Sequence, residues 1–260
     1  MIISKEVGML ETYEIFCKND MEFNIVSGEN QSIQAEKLLI LDSSFNPPHM
    51  GHYTLIKKAV QLYEESKLHI LLLLSVNNAD KDPKPASFDR RLEMMCILGD
   101  ILTKEGIDTS VGLTKYGKFV DKSDCIKKLK FFNGDITYLV GFDTIVRILD
   151  SKYYAPLLPS EALRHFMSDT EFVCITREGN IPESDQIRYP LEISKGVYEP
   201  AISSFWGVKI HVLRNDKKYS SVSSSSIRKS LKNNIPSKTL KDEIPQAILD
   251  FIENSKSPIF

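Results

Sequence analysis

Residues 37–52 read Lys-Leu-Leu-Ile-Leu-Asp-Ser-Ser-Phe-Asn-Pro-Pro-His-Met-Gly-His, and this one stretch decides the fold. Leu38 to Leu41 are consecutive aliphatic residues, the pattern of a parallel strand buried on both faces. Asp42 ends the run, and Ser43 and Ser44 allow close backbone approach. Pro47 and Pro48 then fix φ and stop the strand from continuing. From Met50 to Glu65, Leu55, Ala59 and Leu62 share one helical face. Strand, stiff turn and helix in succession form the unit of an α/β sheet, whose ligands gather at the carboxyl ends of the strands.

The same alternation continues along the chain. Further strands are expected at His69–Val76, Ser110–Thr114, Ile136–Val140, Glu171–Thr176 and Val208–Leu213, beside the first at Lys37–Asp42. Helices are expected at Phe88–Lys104 (with Ser87 as N-cap), Lys122–Phe131, Thr144–Leu149, Ser225–Asn233 and Pro245–Asn254. Right-handed crossovers turn this order into an α/β fold: a Rossmann-like, doubly wound, mainly parallel sheet with helices on both faces. No linker interrupts it, so residues 37–260 are expected to be one domain. Residues 1–36 are expected to form an N-terminal extension, a helix and a strand packed on an edge.

Composition narrows the partners. Lys and Arg number 33 against 35 Asp and Glu, a net charge of -2, which gives no global positive field to recruit nucleic acid. The longest aliphatic run, Ile70 to Leu74, is too short to span a bilayer, so no membrane partner is expected. Cys17, Cys96, Cys125 and Cys174 form no CxxC pair and read as free thiols in a reducing compartment. With no secretory signal at the N-terminus, the reading is cytoplasmic, nuclear or both. The sequence says nothing about oligomeric state.

Two constellations carry chemistry. His49 and His52 are three apart and share the first helical turn, where unsatisfied backbone N–H groups and the helix dipole favour phosphate. Their imidazoles add donors that can carry positive charge near neutral pH. A zinc-type half-site would need further ligands, and no cysteine or histidine cluster accompanies the pair, so no metal site of the protein's own is expected. The second constellation is Val222-Ser-Ser-Ser-Ser-Ile-Arg228. It reads as another helix N-terminus, with a serine cap, outward hydroxyls and N–H groups, and a guanidinium one turn in. A flexible serine linker is the plain alternative, but the helical pattern that follows argues against it.

Ser43-Ser44-Phe45-Asn46-Pro47-Pro48-His49-Met50-Gly51-His52 resembles the signature that follows the first strand of the nucleotidyltransferase superfamily. Val222–Arg228 resembles the superfamily's later Ile-Ser-Ser-Thr-x-Ile-Arg segment, with Val for Ile and Ser for Thr. Asn77-Asn-Ala-Asp-Lys81 with Arg91-Leu-Glu-Met94, Val140-Gly-Phe-Asp143 and Cys174-Ile-Thr-Arg-Glu-Gly-Asn180 are similar to segments of the eukaryotic nicotinamide mononucleotide (NMN) adenylyltransferases. Pro85-Ala-Ser-Phe88 and Asp150-Ser-Lys-Tyr-Tyr154 resemble a divergent fungal branch of that family, the promoter-of-filamentation type.

The resemblance implies transfer of AMP from ATP to NMN, giving NAD and pyrophosphate, with Mg²⁺ accompanying ATP. It makes small-molecule nucleotides the partners. His52, His49 and Arg228 would be catalytic. Ser43, Ser44, Phe45, His49, His52, Ser223, Ser224, Ser225, Ser226 and Arg228 would bind ATP and its phosphates. Lys81, Arg91, Phe119, Gly141, Asp143 and Arg177 would bind substrate. One departure concerns the acceptor. Family members stack the nicotinamide on a tryptophan after the third strand and carry a second tryptophan near the Gly-x-Asp element, but the single tryptophan here, Trp206, lies elsewhere. Tyr116 or Phe119 would replace the first and Tyr153 or Tyr154 the second, since any of these rings can stack. The alternatives are an ATP-binding protein of the same fold with another acceptor, an ATP hydrolase, or a non-catalytic regulator.

Overall fold

The long aliphatic runs become the centre of one sheet. The structure, a computed structural model, describes residues 8–77, 85–233, 237–255 and 257–260. The strands are β1 (Phe23–Ser27), β2 (Lys37–Asp42), β3 (Leu68–Ser75), β4 (Thr109–Thr114), β5 (Ile136–Gly141), β6 (Thr170–Ile175) and β7 (Ile210–Leu213). They lie in the order β1-β4-β3-β2-β5-β6-β7. β1 runs antiparallel to β4, and every other pairing is parallel. From β4 to β7 this is the doubly wound order, in which the chain reverses its direction of travel between β2 and β5.

The helices are α1 (Met9–Lys18), α2 (Met50–Leu62), α3 (Phe88–Lys104), α4 (Phe119–Lys128), α5 (Phe142–Ile148), α6 (Pro159–Ala162), α7 (Glu183–Ser194), α8 (Ser224–Lys232), α9 (Ser237–Leu240) and α10 (Gln246–Glu253). Alternation along each strand divides the core in two. Leu39, Leu41, Ile70, Leu72, Leu139 and Val173 pack under α1, α2, α3, α8 and α10. Leu38, Ile40, Leu71, Leu73, Tyr138 and Phe172 pack under α4, α5 and α7. A strand covered on both faces has no polar side to show, which is why β2 and β3 read as unbroken aliphatic runs. Residues 9–27 supply α1 and the antiparallel edge strand β1.

Several boundaries differ from expectation. The last strand begins at Ile210, because Ser204–Lys209 is a 3-10 turn in which Val208 is 72% exposed; pairing starts only where Ile210 meets Phe172. α4 starts at Phe119, not Lys122, and stops at Lys128 because Lys130 adopts φ 54°. α5 starts two residues early, directly on β5. α7 was not expected at all, since Pro190 within it breaks the pattern by removing an N–H. Ser87 does occupy the N-cap of α3 but makes no side-chain capping bond. No helix among the described residues is long and apolar enough to cross a membrane.

Candidate active site

At the reversal point, the carboxyl ends of β2 and β5 open into a cleft of about 540 Å³. It is lined by Asp42, Ser43, Ser44, His49 and His52 from the β2 side and by Gly141, Asp143, Thr144 and Arg147 from the β5 side. Phe119, Lys122, Tyr153, Tyr154 and Arg177 complete its walls. Four cations (Lys118, Lys122, Arg147, Arg177) face it against two carboxylates (Asp42, Asp143). In a chain of net charge -2 this is a local positive excess, suited to a polyanion.

The β2–α2 turn is built around its two histidines. His49 is the N-cap of α2, with extended backbone at φ -147°. Its Nδ1 accepts the Gly51 N–H at 3.1 Å, and the His49 N–H donates to His52 Nδ1 at 3.1 Å. Each imidazole therefore uses Nδ1 as acceptor and carries its proton on Nε2. The His52 Nε2–H points at Ser43 Oγ, 3.0 Å away, and the rings lie 3.9 Å apart. Glycine is required at 51 because a Cβ there would sit 2.9 Å from the His49 ring.

Two expectations are corrected here. The first N–H groups of α2 are not open to a ligand: Met50 donates to the Glu243 carbonyl at 2.8 Å, Gly51 to His49 Nδ1, and His52 to the His49 carbonyl at 2.9 Å. Phosphate would meet side chains and the dipole rather than free backbone donors. Nor does His49 carry charge near neutral pH. Burial, then the neighbouring His52, then Arg177, hold it well below the ordinary histidine value.

The Ser-rich turn opens α8. Ser223 is its N-cap, its Oγ accepting the Ser226 N–H at 3.1 Å while the Ser223 N–H donates to Ser226 Oγ at 3.2 Å. Ser224 turns inward and donates to the Pro47 carbonyl at 2.9 Å. Arg228 donates to the Asn46 carbonyl at 2.7 Å and to Ser225 Oγ at 3.1 Å. The two motifs thus share a seam at Asn46–Pro47. Arg91 backs that seam: its Nε donates to the Ala86 carbonyl at 2.9 Å and its guanidinium lies 4.9 Å over the Phe88 ring. Burial and the charge of Arg228 push Arg91 down to about 10.

Not every expected residue lines the cleft. Ser43, Ser44, His49, His52, Phe119, Gly141, Asp143 and Arg177 do. The Phe45 side chain is fully buried and packs 5.3 Å from the His52 ring, with φ 45° at its backbone. Arg91, Ser223–Ser226 and Arg228 are not part of the cleft lining; Ser224 and Arg228 bond the β2–α2 turn beside it. Lys81 falls outside the described residues, as do Asn78–Asp80. Among the substitute rings, Phe119, Tyr153 and Tyr154 line the cleft; Tyr116 instead donates to Glu22 and does not. Arg177 Nη1 lies 3.7 Å from Asp143, and Gly141 leaves room for both, since a Cβ there would meet each at 3.3 Å. Asp42, Lys118, Lys122 and Arg147 were missed. The break of the aliphatic run at Asp42 was the one visible signal, and Lys122, one turn after Phe119, was hidden by starting α4 too late.

Residues 40–230 match the Cytidylyltransferase-like family. The chain is 36% identical over 228 residues, 86% of its own length and 87% of the relative's, to a protein of Schizosaccharomyces pombe (strain 972 / ATCC 24843) named "Putative nicotinamide mononucleotide adenylyltransferase". It is 27% identical over 152 residues, 58% of its length and 74% of the relative's, to a "Probable nicotinate-nucleotide adenylyltransferase" of Sulfurovum sp. (strain NBC37-1). Solved structures of Plasmodium falciparum nicotinic acid mononucleotide adenylyltransferase share the fold. The complex with APC has a TM-score of 0.54 at 16% identity, covering 84% of this chain and 94% of that one. The complex with NaAD scores 0.56 at 16% identity, covering 84% and 95%. The chain belongs to the cytidylyltransferase-like nucleotidyltransferases and, within them, to the mononucleotide adenylyltransferases of NAD biosynthesis.

Proposed function

We propose that the protein joins the AMP moiety of ATP to NMN, giving NAD and pyrophosphate. The observation that carries this is the seam: two helix N-termini far apart in sequence, locked together at Asn46–Pro47 beside a cationic cleft with an aromatic wall. An oxygen of the NMN 5′-phosphate attacks the α-phosphorus of ATP. The new P–O bond forms as the bond to the β-phosphate oxygen breaks, and pyrophosphate leaves with the electron pair. The protein needs only to position two anions and stabilise charge as it shifts toward the leaving group.

His52 is placed for that task, because its Nε2–H can exchange Ser43 Oγ for a phosphate oxygen. His49 offers a second neutral Nε2–H. Arg177 adds charge at the cleft wall, while Arg228 and the Ser223–Ser226 turn hold the outer phosphates. Lys81, Gly141 and Asp143 are further proposed substrate ligands, whereas Arg91, buried outside the cleft, is not.

Among the described residues no group of three or more His, Cys, Asp or Glu could cage a metal, and the cleft carboxylates Asp42 and Asp143 each face a cation. Mg²⁺ would come with ATP and would supply charge neutralisation on the phosphates. The test is a coupled assay for NAD from purified protein, NMN, ATP and Mg²⁺, with His52→Ala as control. NAD formed by the wild type and lost in the variant is the expected result. ATP binding or hydrolysis without NAD would overturn the proposal.

A further inference from the structure

The cleft floor holds an ion pair that the transfer chemistry does not use. Asp42, the last residue of β2, bonds the ammonium of Lys122 on α4. That ammonium also donates to the Gly117 carbonyl at 3.1 Å and lies 5.0 Å from the centroid of the Phe119 ring. Both side chains line the cleft, Lys122 with 2% and Asp42 with 11% of its side chain exposed. Desolvation makes such a pair a weak source of stability, and an apolar pair of equal volume does as well or better. Asp42 directly precedes Ser43, the partner of His52, and Lys122 lies over Phe119, so the pair adjoins both the histidine turn and an aromatic ring of the cleft.

We propose that the Asp42–Lys122 pair selects a pyridine carboxamide over a pyridine carboxylate as the acceptor base. The inference rests on the adenylyltransferase reading above. A base lying against Phe119 presents its ring substituent to the pair. A carboxamide brings one NH₂ donor and one carbonyl acceptor, and no charge. Its NH₂ suits the Asp42 carboxylate, which has lone pairs beyond the one facing Lys122. Its carbonyl suits the third N–H of Lys122, the other two being directed at Asp42 and the Gly117 carbonyl. A carboxylate brings two acceptors and no donor. It sets like charge against Asp42, while the compensating charge of Lys122 is already engaged.

The test compares NAD formed from NMN with its acid counterpart formed from nicotinate mononucleotide, both with ATP and Mg²⁺, as kcat/KM. The wild type is expected to prefer NMN by at least about tenfold, as a site built to pair a substrate donor does. Asp42→Asn removes the like charge, frees that of Lys122, and lowers the preference by about tenfold or more. Lys122→Gln leaves Asp42 uncompensated and raises it. Opposite shifts are a signature that a merely structural pair would not give.

A ratio unchanged in folded Asp42→Asn, or moved the same way by both variants, overturns the proposal. So does a wild type that prefers the acid, which decides the matter even where a variant fails to fold by circular dichroism. A wild type that binds ATP but makes neither dinucleotide instead overturns the adenylyltransferase reading itself, and is told apart by that result.

Discussion

The two helix N-termini meet at one seam but are built on opposite plans. The α2 turn is buried and closed: its backbone donors are taken up by His49, His52 and Glu243, and two imidazoles are left as the groups a ligand meets. The α8 turn is solvent-facing and serine-capped, and its charge is an arginine reaching across to the other turn. A closed, dry turn holds its donors in fixed directions and without solvent competition, which suits charge that develops only during reaction. An open turn bearing a permanent cation attracts phosphate before any bond changes. The first is therefore expected to act on kcat and the second on ATP binding.

The sharpest way to break this division is His52→Ala. Loss of one preorganised donor to the transferred phosphoryl should cost at least roughly two orders of magnitude in kcat, with a smaller change in the KM for ATP. Steady-state kinetics with varied ATP decides it; a variant with near-normal kcat and a raised KM would move His52 into the ground-state class.

Arg228→Ala is the counterpart, with a smaller effect. It removes the bonds to the Asn46 carbonyl and Ser225 and a cation near Arg91. The KM for ATP should rise about tenfold, the worth of one charge-assisted phosphate contact, with kcat changed less. Equal losses in kcat and kcat/KM would show Arg228 acting in the transition state, and the contrast between the turns would collapse.

How much of this was legible beforehand differs between the same two turns. Every parallel strand was visible, most plainly β2 and β3, whose cover on both faces makes them read as aliphatic runs. The residues of both turns were visible too, as small, hydroxyl and imidazole side chains placed where a strand meets a helix. Their partners were not. That His49 and His52 cap one another, that Met50 donates to Glu243, and that Arg228 reaches Asn46 are facts of chain packing across long separations. The charge state of His49 was misread for the same reason: the largest cause of its neutrality is burial, which depends on how other segments pack over it, ahead of the nearby His52 and Arg177. Lys122 escaped because a lysine on a helix ordinarily faces water, and only the tertiary fold turns this one onto Asp42.

Acid should lower the stability of the whole fold, the buried α2 turn included. Burial lowers the pKa of His49, and also of His69 and His211. The unfolded chain takes up protons near the ordinary value of about 6.5, and the folded chain resists until lower pH. The unfolded state thus binds more protons in that window, so stability is full above it and falls as pH drops below about 6.5. Thermal melts at pH 7.5, 6.5 and 5.5 should show a falling Tm, with saturating ATP reducing the fall because an anion beside His49 favours its protonation. A Tm that rises with acid would mean these rings are charged in the folded protein.

The smallest expected effect belongs to the open turn alone. Ser223→Ala removes the side-chain half of the α8 capping box and leaves the Ser226 N–H to water. A lost serine cap costs about 1 kcal/mol, which in a chain of this size moves Tm by only a few degrees. The loss should stay local, because Ser224 on Pro47 and Arg228 on Asn46 still pin the helix to the first turn. Hydrogen exchange should then quicken at the amides of Ser225 and Ser226 while those of Gly51 and His52 keep their protection. If the α2 amides quicken equally, the seam is one cooperative unit, and differences between the turns in kinetics would have to come from chemistry rather than from independent stability.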